Sequence, residues 1–177
     1  SHILDQYSNN NNPDAHYAGT AKEILNEFGQ NLAMVVISTG TGGTITGIAK
    51  RLKESITDIQ IVGVDPIGSI LGGGSEVAPY HVEGIGYDFF PDVLDNSLVD
   101  QYIKTNDEDS FIMARKLIQE EGLLIGGSCG AAVWGAIEAA KDLDENKNVL
   151  VILPDSIRNY LSKFVNDKWM KNNSFTV

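Results

Sequence analysis

Three short, nearly continuous apolar runs divide the chain, at residues 33–37, 59–65 and 148–153. Runs of this length without alternation are typical of strands that are buried on both faces of a parallel sheet. Around them, apolar residues recur at helical spacing, most clearly within 44–54, 108–118 and 129–143. We therefore predict an α/β fold in which helices flank a largely parallel sheet.

Start and stop signals place the ends of the predicted helices. Asn12 before Pro13 suits a helix cap, and Gly29 suits the end of the same helical region. Hydroxyl residues stand at three further predicted helix starts: Thr20 with Glu23, Thr105 with Glu108, and Ser128. Gly122 is expected to end the helix that Thr105 begins.

The strongest chemical signal follows the first predicted strand, where a glycine-rich turn precedes a helix. Its residues are Gly40, Thr41, Gly42, Gly43 and Thr44. Glycines let the backbone curl close to a ligand, and the first N–H groups of a helix have no partner within it. Such a helix N-terminus favours an anion, to which threonine hydroxyls also donate hydrogen bonds. The turn therefore predicts a site for one phosphate group.

Composition limits what this phosphate belongs to. The 177 residues are 42% apolar, enough for one domain with a core, and carry a net charge of −11. An acidic chain without a basic stripe argues against a nucleic-acid surface, and no apolar run approaches the length that spans a membrane. The single cysteine, Cys129, excludes an internal disulfide and fits a reducing compartment. His2, His16 and His81 lack the spacing of metal ligands, so we expect no metal site.

Three classes of phosphate-binding protein use such turns, and spacing separates them. A P-loop NTPase needs a lysine directly after the glycines, but here Gly43 is followed by Thr44. A dinucleotide-binding fold needs a third glycine where this chain has Ile45, although Asp65 stands where the ribose-binding acid would be. The third class is the pyridoxal-phosphate enzymes.

Six short motifs resemble the pyridoxal-phosphate enzymes that act at the β-carbon of amino acids, in that family's order along the chain. They lie at residues 1–7, 12–17, 40–44, 83–88, 126–128 and 153–160. Within that family, Gly-Ile-Gly-Tyr at 84–87 and Ile-Arg-Asn-Tyr at 157–160 resemble the cystathionine β-synthases more than the related O-acetylserine sulfhydrylases. The resemblance implies the large-domain portion of a tryptophan-synthase-β-like fold, with pyridoxal 5′-phosphate as cofactor.

The reaction that the resemblance implies is a β-replacement. L-Serine loses its hydroxyl group and the thiol of L-homocysteine adds to give cystathionine, in the transsulfuration route to cysteine. The resemblance also implies a cytoplasmic homodimer that acts on small molecules. Two alternatives stay open: a cysteine synthase that uses O-acetylserine and sulfide, and a non-catalytic module that only binds a phosphate ligand.

The resemblance also implies which residues hold the cofactor. Residues 40–44 would bind its phosphate, and Ser128 would offer a hydroxyl to its pyridine nitrogen. A neutral partner leaves the ring a weaker electron sink than a carboxylate would, which favours prompt loss of a β-substituent. Pro154 and Asp155 would line the edge of the ring.

A second group of residues is implied for the substrates. Gly84 and Ile85 belong to a glycine-flanked segment that is expected to close over the bound substrate. Tyr87, which follows that segment, is expected to shape the pocket of the second substrate. Gln6 and Tyr7 resemble the residues near the amino-acid substrate.

The chemistry of the family also needs a lysine that forms a Schiff base with the cofactor, and a Ser/Thr-Gly-Asn loop that binds the substrate carboxylate. Neither motif occurs in 1–177, whose lysines lie on predicted helix faces, in charged segments or in loops. We therefore interpret 1–177 as the C-terminal half of a catalytic core and expect it to be inactive by itself. The lysine, and a haem site if the protein has one, would lie in the N-terminal half.

Overall fold

The computed structural model describes residues 2–177, so Ser1, the first residue of the 1–7 motif, lies outside the described part. The strands are β1 (Leu32–Ser38), β2 (Gln60–Pro66), β3 (Gln101–Thr105) and β4 (Asn148–Val151). The helices are α1 (Asn11–Ala15), α2 (Ala21–Phe28), α3 (Gly43–Ser55), α4 (Asp107–Glu121), α5 (Gly127–Ala139) and α6 (Asp167–Asn172). A π-helical turn (His16–Thr20) joins α1 to α2. Within residues 2–177, no helix is long and apolar enough to span a bilayer.

The four strands form one parallel sheet in the order β3-β2-β1-β4. This confirms the predicted α/β fold, and β1, β2 and β4 lie at the three predicted apolar runs. β3 has no counterpart among the predicted strands, because it lies at the edge of the sheet and mixes polar with apolar residues. Lys104 therefore lies on a strand, and the expectation that the lysines lie on helices, in charged segments or in loops is wrong at this position.

An apolar core covers each face of the sheet. Met34 and Val36 of β1 belong to one core with residues of α4, α5 and the C-terminal segment. Val35 and Ile37 belong to the other, with residues of α2 and α3. Successive side chains of a strand point to opposite faces. Because both faces are covered, the strand sequence is continuously apolar rather than alternating.

The order of the strands reverses at β1. From β1 the chain passes through α3 to β2 on one side, and after β3, α4 and α5 it returns to β4 on the other side. In open parallel sheets, ligands bind in the crevice outside the carboxyl ends of the strands at such a reversal. The glycine turn follows β1 and Pro154 follows β4, so the fold brings both to this crevice.

The predicted ends of two helices are confirmed, and in both the glycine has a positive φ. Gly29 ends α2 with φ 55°, and Gly122 ends α4 with φ 69°. The predicted starts of the first two helices are wrong. Asn12 lies inside α1, and Thr20 has helical dihedral angles on the continuous path from α1 to α2, so neither side chain caps a helix.

Two further predicted caps are also wrong, because the residues concerned are used by neighbouring structure. Thr105 is the buried last residue of β3, and α4 is capped instead by Asn106, whose side chain accepts the N–H of Asp109. Ser128 lies inside the first turn of α5, and the N-cap of that helix is Gly126.

Candidate functional site

A cleft of about 280 Å³ lies outside the carboxyl end of β1. It brings together segments that are far apart in the chain, as the order reversal of the sheet predicts. Its lining residues are Gln6, Ser38, Gly40, Thr41, Gly42, Thr44, Ile45, Gly84, Ile85, Tyr87 and Pro154. A larger cleft of about 360 Å³ lies at the opposite end of β1, lined by residues such as Gln30 and Lys147, and has no glycine turn.

The glycine turn forms the floor of the cleft and leads into α3. Gly42 adopts the left-handed conformation with φ 88°, and no side chain caps the helix that follows it. The first helical hydrogen bond is the one from Thr46 N–H to Gly42 O, at 2.9 Å. The N–H groups before Thr46 in this turn have no intrahelical acceptor, so they are available to an anion. A Cβ atom on Gly40 would lie 2.5 Å from Gly84 O, which leaves no room for a side chain.

Two residues of the first helical region contact this turn, and no chemical role was predicted for either. The Asn12 side chain donates from Nδ2 to the carbonyl of Gln6 at 2.8 Å and to the Thr41 hydroxyl at 3.1 Å. His16 Nε2 is 3.1 Å from the Thr44 hydroxyl. Burial lowers the pKa of His16, which favours the neutral imidazole. Asn12 and His16 both lie in the 12–17 motif, but only the folded chain shows that their partners are Thr41 and Thr44.

The opposite wall of the cleft is aromatic. The hydroxyls of Tyr7 and Tyr87 lie 3.3 Å apart, and both rings pack against Phe89 with centroids 5.5 and 5.1 Å away. Burial, and next the hydrogen bond with Tyr7, raises the pKa of Tyr87 to about 12. The Tyr87 hydroxyl therefore stays protonated near neutral pH and serves as a hydrogen-bonding group rather than a base. Gln6 lines the same cleft, whereas Tyr7 lies behind Tyr87.

The segment that carries Gly84 and Ile85 lines the cleft. Gly84 and Gly86 have φ values of 83° and 77°, a conformation that other residues rarely adopt. Gly86 N–H donates to the carbonyl of Thr39 at 2.8 Å, which ties the segment to the chain that leaves β1. The structure therefore places the expected closing segment directly against the glycine turn.

A second glycine turn, at residues 126–128, lies beside the cleft instead of lining it. Ser128 is buried in the first turn of α5 and is not among the lining residues. Asp155 also lies outside the lining, because its carboxylate accepts the Tyr160 hydroxyl at 2.6 Å. Burial, and next that hydrogen bond, raises the pKa of Tyr160. Burial raises the pKa of Cys129 as well, which disfavours the reactive thiolate.

The residues that are present fit a phosphate group. The helix N-terminus is uncapped, the hydroxyl-bearing residues Thr41 and Thr44 line the cleft, and Gly40 lets the turn lie close to the backbone of Gly84. These are neutral donors, which agrees with the absence of a lysine from the lining within residues 2–177. Fold and cleft together define an α/β protein of the class that binds phosphate-bearing ligands at the reversal of a parallel sheet.

The chain belongs to the pyridoxal-phosphate dependent enzyme family, which matches residues 1–155. It is 57% identical over 180 aligned residues to cystathionine β-synthase from Mus musculus, covering 99% of this chain and 32% of that protein. It is 44% identical to a cysteine synthase from Helicobacter pylori, covering 92% of this chain and 53% of that protein. The chain spans about a third of the length of the cystathionine β-synthases that it matches.

A solved structure supports the same assignment. The chain resembles the crystal structure of an O-acetylserine dependent cystathionine β-synthase from Helicobacter pylori with a TM-score of 0.84 and 45% identity. The match covers 89% of this chain and 51% of that one. These similarities confirm the resemblance to the cystathionine β-synthases and the fold expected from it, and the cofactor of the family is pyridoxal phosphate.

Proposed function

We propose that the protein to which this chain belongs condenses L-serine with L-homocysteine to form cystathionine, in the transsulfuration route to cysteine. The observation that carries this proposal is a single cleft with a phosphate-binding turn on one side and Gln6 and Tyr87 on the other. The similarity of this chain to cystathionine β-synthases, over nearly the whole length of the chain, supports the same substrates. We also propose that residues 1–177 form the C-terminal half of the catalytic core, with the cofactor-binding lysine elsewhere in the protein.

The chain would hold the cofactor at two places. The N–H groups and hydroxyls of residues 40–44 would bind its phosphate. Ser128, in the turn beside the cleft, would be the hydrogen-bond partner of its pyridine nitrogen, and Pro154 and Asp155 would lie near the ring. When bound, the cofactor supplies an electron sink for loss of the β-substituent of an amino acid. Because neutral donors hold the phosphate, its own charge is offset mainly by the helix N-terminus.

The remaining site residues would bind and enclose the substrates. Gln6 donates a hydrogen bond to the amino-acid substrate, and Gly84 and Ile85 cover it and exclude water. Tyr87 keeps its proton at neutral pH, so its hydroxyl and ring orient the second substrate without removing a proton from it. Tyr7 fixes the direction of the Tyr87 hydroxyl through their mutual contact.

The experiment uses the complete protein loaded with cofactor and compares two substrate pairs. Serine with homocysteine is expected to give cystathionine at a higher kcat/KM than O-acetylserine with sulfide gives cysteine. Tyr87→Phe is the matched control for Tyr87→Ala, because it removes the hydroxyl and keeps the ring. Failure of serine and homocysteine to react at all would contradict the proposal.

The cysteine synthase reaction is the second candidate. The observation that favours it is the relative named cysteine synthase, to which this chain is 44% identical over 92% of its own length. A higher kcat/KM for O-acetylserine with sulfide, together with no loss in Tyr87→Ala, would establish this reaction instead.

We propose in addition that the protein is a cytoplasmic homodimer. The buried, unpaired Cys129 supports a reducing compartment, because within residues 2–177 it forms no disulfide. Sedimentation of the complete protein measures the subunit number, and a monomer at micromolar concentration would contradict the dimer.

A further inference from the structure

A buried carboxylate lies at the end of β2, away from the lining of the cleft. Asp65 is fully buried, and its neighbour in the sheet register is Lys104 of β3. The Lys104 ammonium donates to Asp65 Oδ2 at 2.6 Å, and Gly72 N–H donates to the same oxygen at 2.8 Å. Burying a carboxylate is unfavourable unless it is paired and hydrogen-bonded, and Lys104 is the charged partner of Asp65.

The same ammonium also holds the loop that follows β2. Lys104 Nζ donates to the carbonyl of Ser69 at 2.6 Å, so one cation joins the strand carboxylate to the turn at Ser69. Ser69 is itself buried, at 2% exposure. The turn at Ser69 is therefore held by the Lys104 ammonium, which is paired with Asp65, and not by apolar packing alone.

The Ser69 side chain in turn hydrogen-bonds to both backbone groups of Tyr87, the N–H and the carbonyl. Its hydroxyl accepts the N–H of Tyr87 at 3.0 Å and donates to the carbonyl of Tyr87 at 3.1 Å. The N–H of Ile70 donates to the same carbonyl at 3.0 Å. We call these three hydrogen bonds, from Ser69 and Ile70 to the backbone of Tyr87, the Tyr87 clamp. Gly84 and Gly86 precede Tyr87 and are conformationally permissive, so it is the clamp that restricts where the Tyr87 ring enters the cleft.

We propose that Lys104 is a positioning residue for the pocket of the second substrate. Through Asp65 and Ser69 it holds the backbone of Tyr87, and Tyr87 then presents its ring and hydroxyl to the incoming thiol. The proposal rests on the role that the proposed function gives to Tyr87. Lys104 itself touches neither substrate nor cofactor, since it lies outside the lining of the cleft.

The chain contains a matched control for this ion pair. Lys53 Nζ lies 2.6 Å from Asp100 Oδ1, the same distance as in the Lys104–Asp65 pair. The two lysine side chains are equally exposed, at 30% and 31%, but Asp100 is 41% exposed and Asp65 is fully buried. Lys53 lies on α3 and contacts no residue of the Tyr87 clamp.

The test uses Lys104→Met, Lys104→Arg, Ser69→Ala and Lys53→Met in the complete, cofactor-loaded protein. Two quantities are measured: amide hydrogen exchange of residues 84–89, and the KM of each substrate separately. Lys104→Met and Ser69→Ala are expected to speed exchange in 84–89 and to raise the KM of the thiol substrate about tenfold, with little change for the amino acid that binds first. Lys104→Arg is expected to retain most of both properties, and Lys53→Met to change neither.

The two measurements test separate links of the proposal, from Lys104 to the backbone of Tyr87 and from Tyr87 to the thiol substrate. Unchanged exchange in 84–89 for Lys104→Met and Ser69→Ala would show that the ion pair does not hold Tyr87. Faster exchange with an unchanged thiol KM would overturn the link to the substrate and with it the role assigned to Tyr87. If Lys104→Met does not fold, the double variant Asp65→Asn/Lys104→Met takes its place, because it leaves no unpaired buried carboxylate and still removes the Lys104 contact to the Ser69 carbonyl; unchanged exchange and thiol KM in that variant would overturn the proposal.

Discussion

Asn12 connects three parts of the cleft by one side chain. Its amide nitrogen bonds the carbonyl of Gln6 and the hydroxyl of Thr41, and its amide oxygen lies against Gly43. A Cβ on Gly43 would overlap Asn12 Oδ1, so the lack of a side chain at Gly43 allows this close approach. The glycine is therefore needed for a contact between side chain and backbone and not for an unusual φ value.

We predict that Gly43→Ala weakens cofactor binding and that Asn12→Gly partly restores it in the double variant. The added methyl pushes the Asn12 amide away, at a cost of about 1–3 kcal/mol. The measurement is cofactor dissociation followed by fluorescence in the complete protein, with each single variant as reference. Strictly additive losses would contradict the proposed overlap.

Burial raises the pKa of several tyrosines in this chain. The pKa values of Tyr87 and Tyr102 are raised to about 12, in both cases mainly by loss of solvation. The pKa of Tyr160 is also raised, by burial first and the Asp155 carboxylate second. These groups bind protons more tightly in the folded chain than in the unfolded one.

We predict that stability is lost at alkaline pH before these tyrosines ionise in the folded protein. Their contribution is fully present below about pH 10, the unfolded pKa, and is lost as the pH rises through about 12. The free energy of unfolding, measured by denaturant at several pH values from about 8 to 11, should therefore fall above pH 10. Tyr102→Phe should make this fall shallower, and an unchanged slope in that variant would argue against the raised pKa.

Two long helices pack tightly on one face of the sheet, and a glycine sets their separation. A Cβ on Gly130 of α5 would overlap the carbonyl of Ser110 and lie 2.6 Å from the backbone nitrogen of Ala114, both in α4. Neither backbone atom can move without shifting its helix. The spacing between α4 and α5 is thus set by Gly130, although glycine has a low intrinsic propensity for helix.

We predict that Gly130→Ala destabilises the fold by about 1–3 kcal/mol, because the methyl forces α4 and α5 apart. Gly19→Ala is the matched control. Apart from its chain neighbours and the backbone of its own helical turn, no atom of residues 2–177 lies within 4 Å of the position its Cβ would take. It should be neutral or stabilise by up to about 1 kcal/mol, because alanine favours helix. Thermal unfolding of both variants measures the difference, and equal midpoints would contradict the close packing.

The cleft as a whole is assembled by the topology of the sheet. The turn after β1, the segment before Tyr87 and the loop after β4 are distant in the chain and meet because β1 lies between β2 and β4. Within residues 2–177, no lysine lines the space between them. The contacts that we propose for phosphate and substrate therefore lie in a cleft whose lining offers no amine to anchor a cofactor covalently.

We predict that the isolated 177-residue chain forms no cystathionine and retains no cofactor after borohydride reduction and dialysis. The physical reason is that noncovalent phosphate contacts release the cofactor when its free concentration falls. The mass of the reduced chain and the product of serine and homocysteine are measured, with the complete protein as control. One cofactor bound per chain at a single lysine would contradict this interpretation.

The glycine turn was more predictable than the helix starts, for a reason visible in particular residues. Gly40 and Gly42 follow a buried strand and precede a helix that has Thr44 as its second residue, and this local order already indicates a helix N-terminus without a side-chain cap. By contrast, threonine and serine side chains often cap helices. In this chain Thr105 instead ends β3, and Ser128 lies within the first turn of α5. Local propensity is a weak guide where tertiary contacts compete for the same residue.

The sequence by itself determined the parallel α/β class, three of the four strands and the glycine turn between β1 and α3. Each of these follows from local pattern: continuous apolar runs, helical periodicity and glycines at a strand-to-helix junction. Only the tertiary structure decided that β3 forms the edge of the sheet, that Asn12 and His16 hold the turn, and that Lys104 is tied to Asp65 and Ser69. These are contacts between residues distant in the chain, and they depend on how the strands are ordered, which no local pattern encodes.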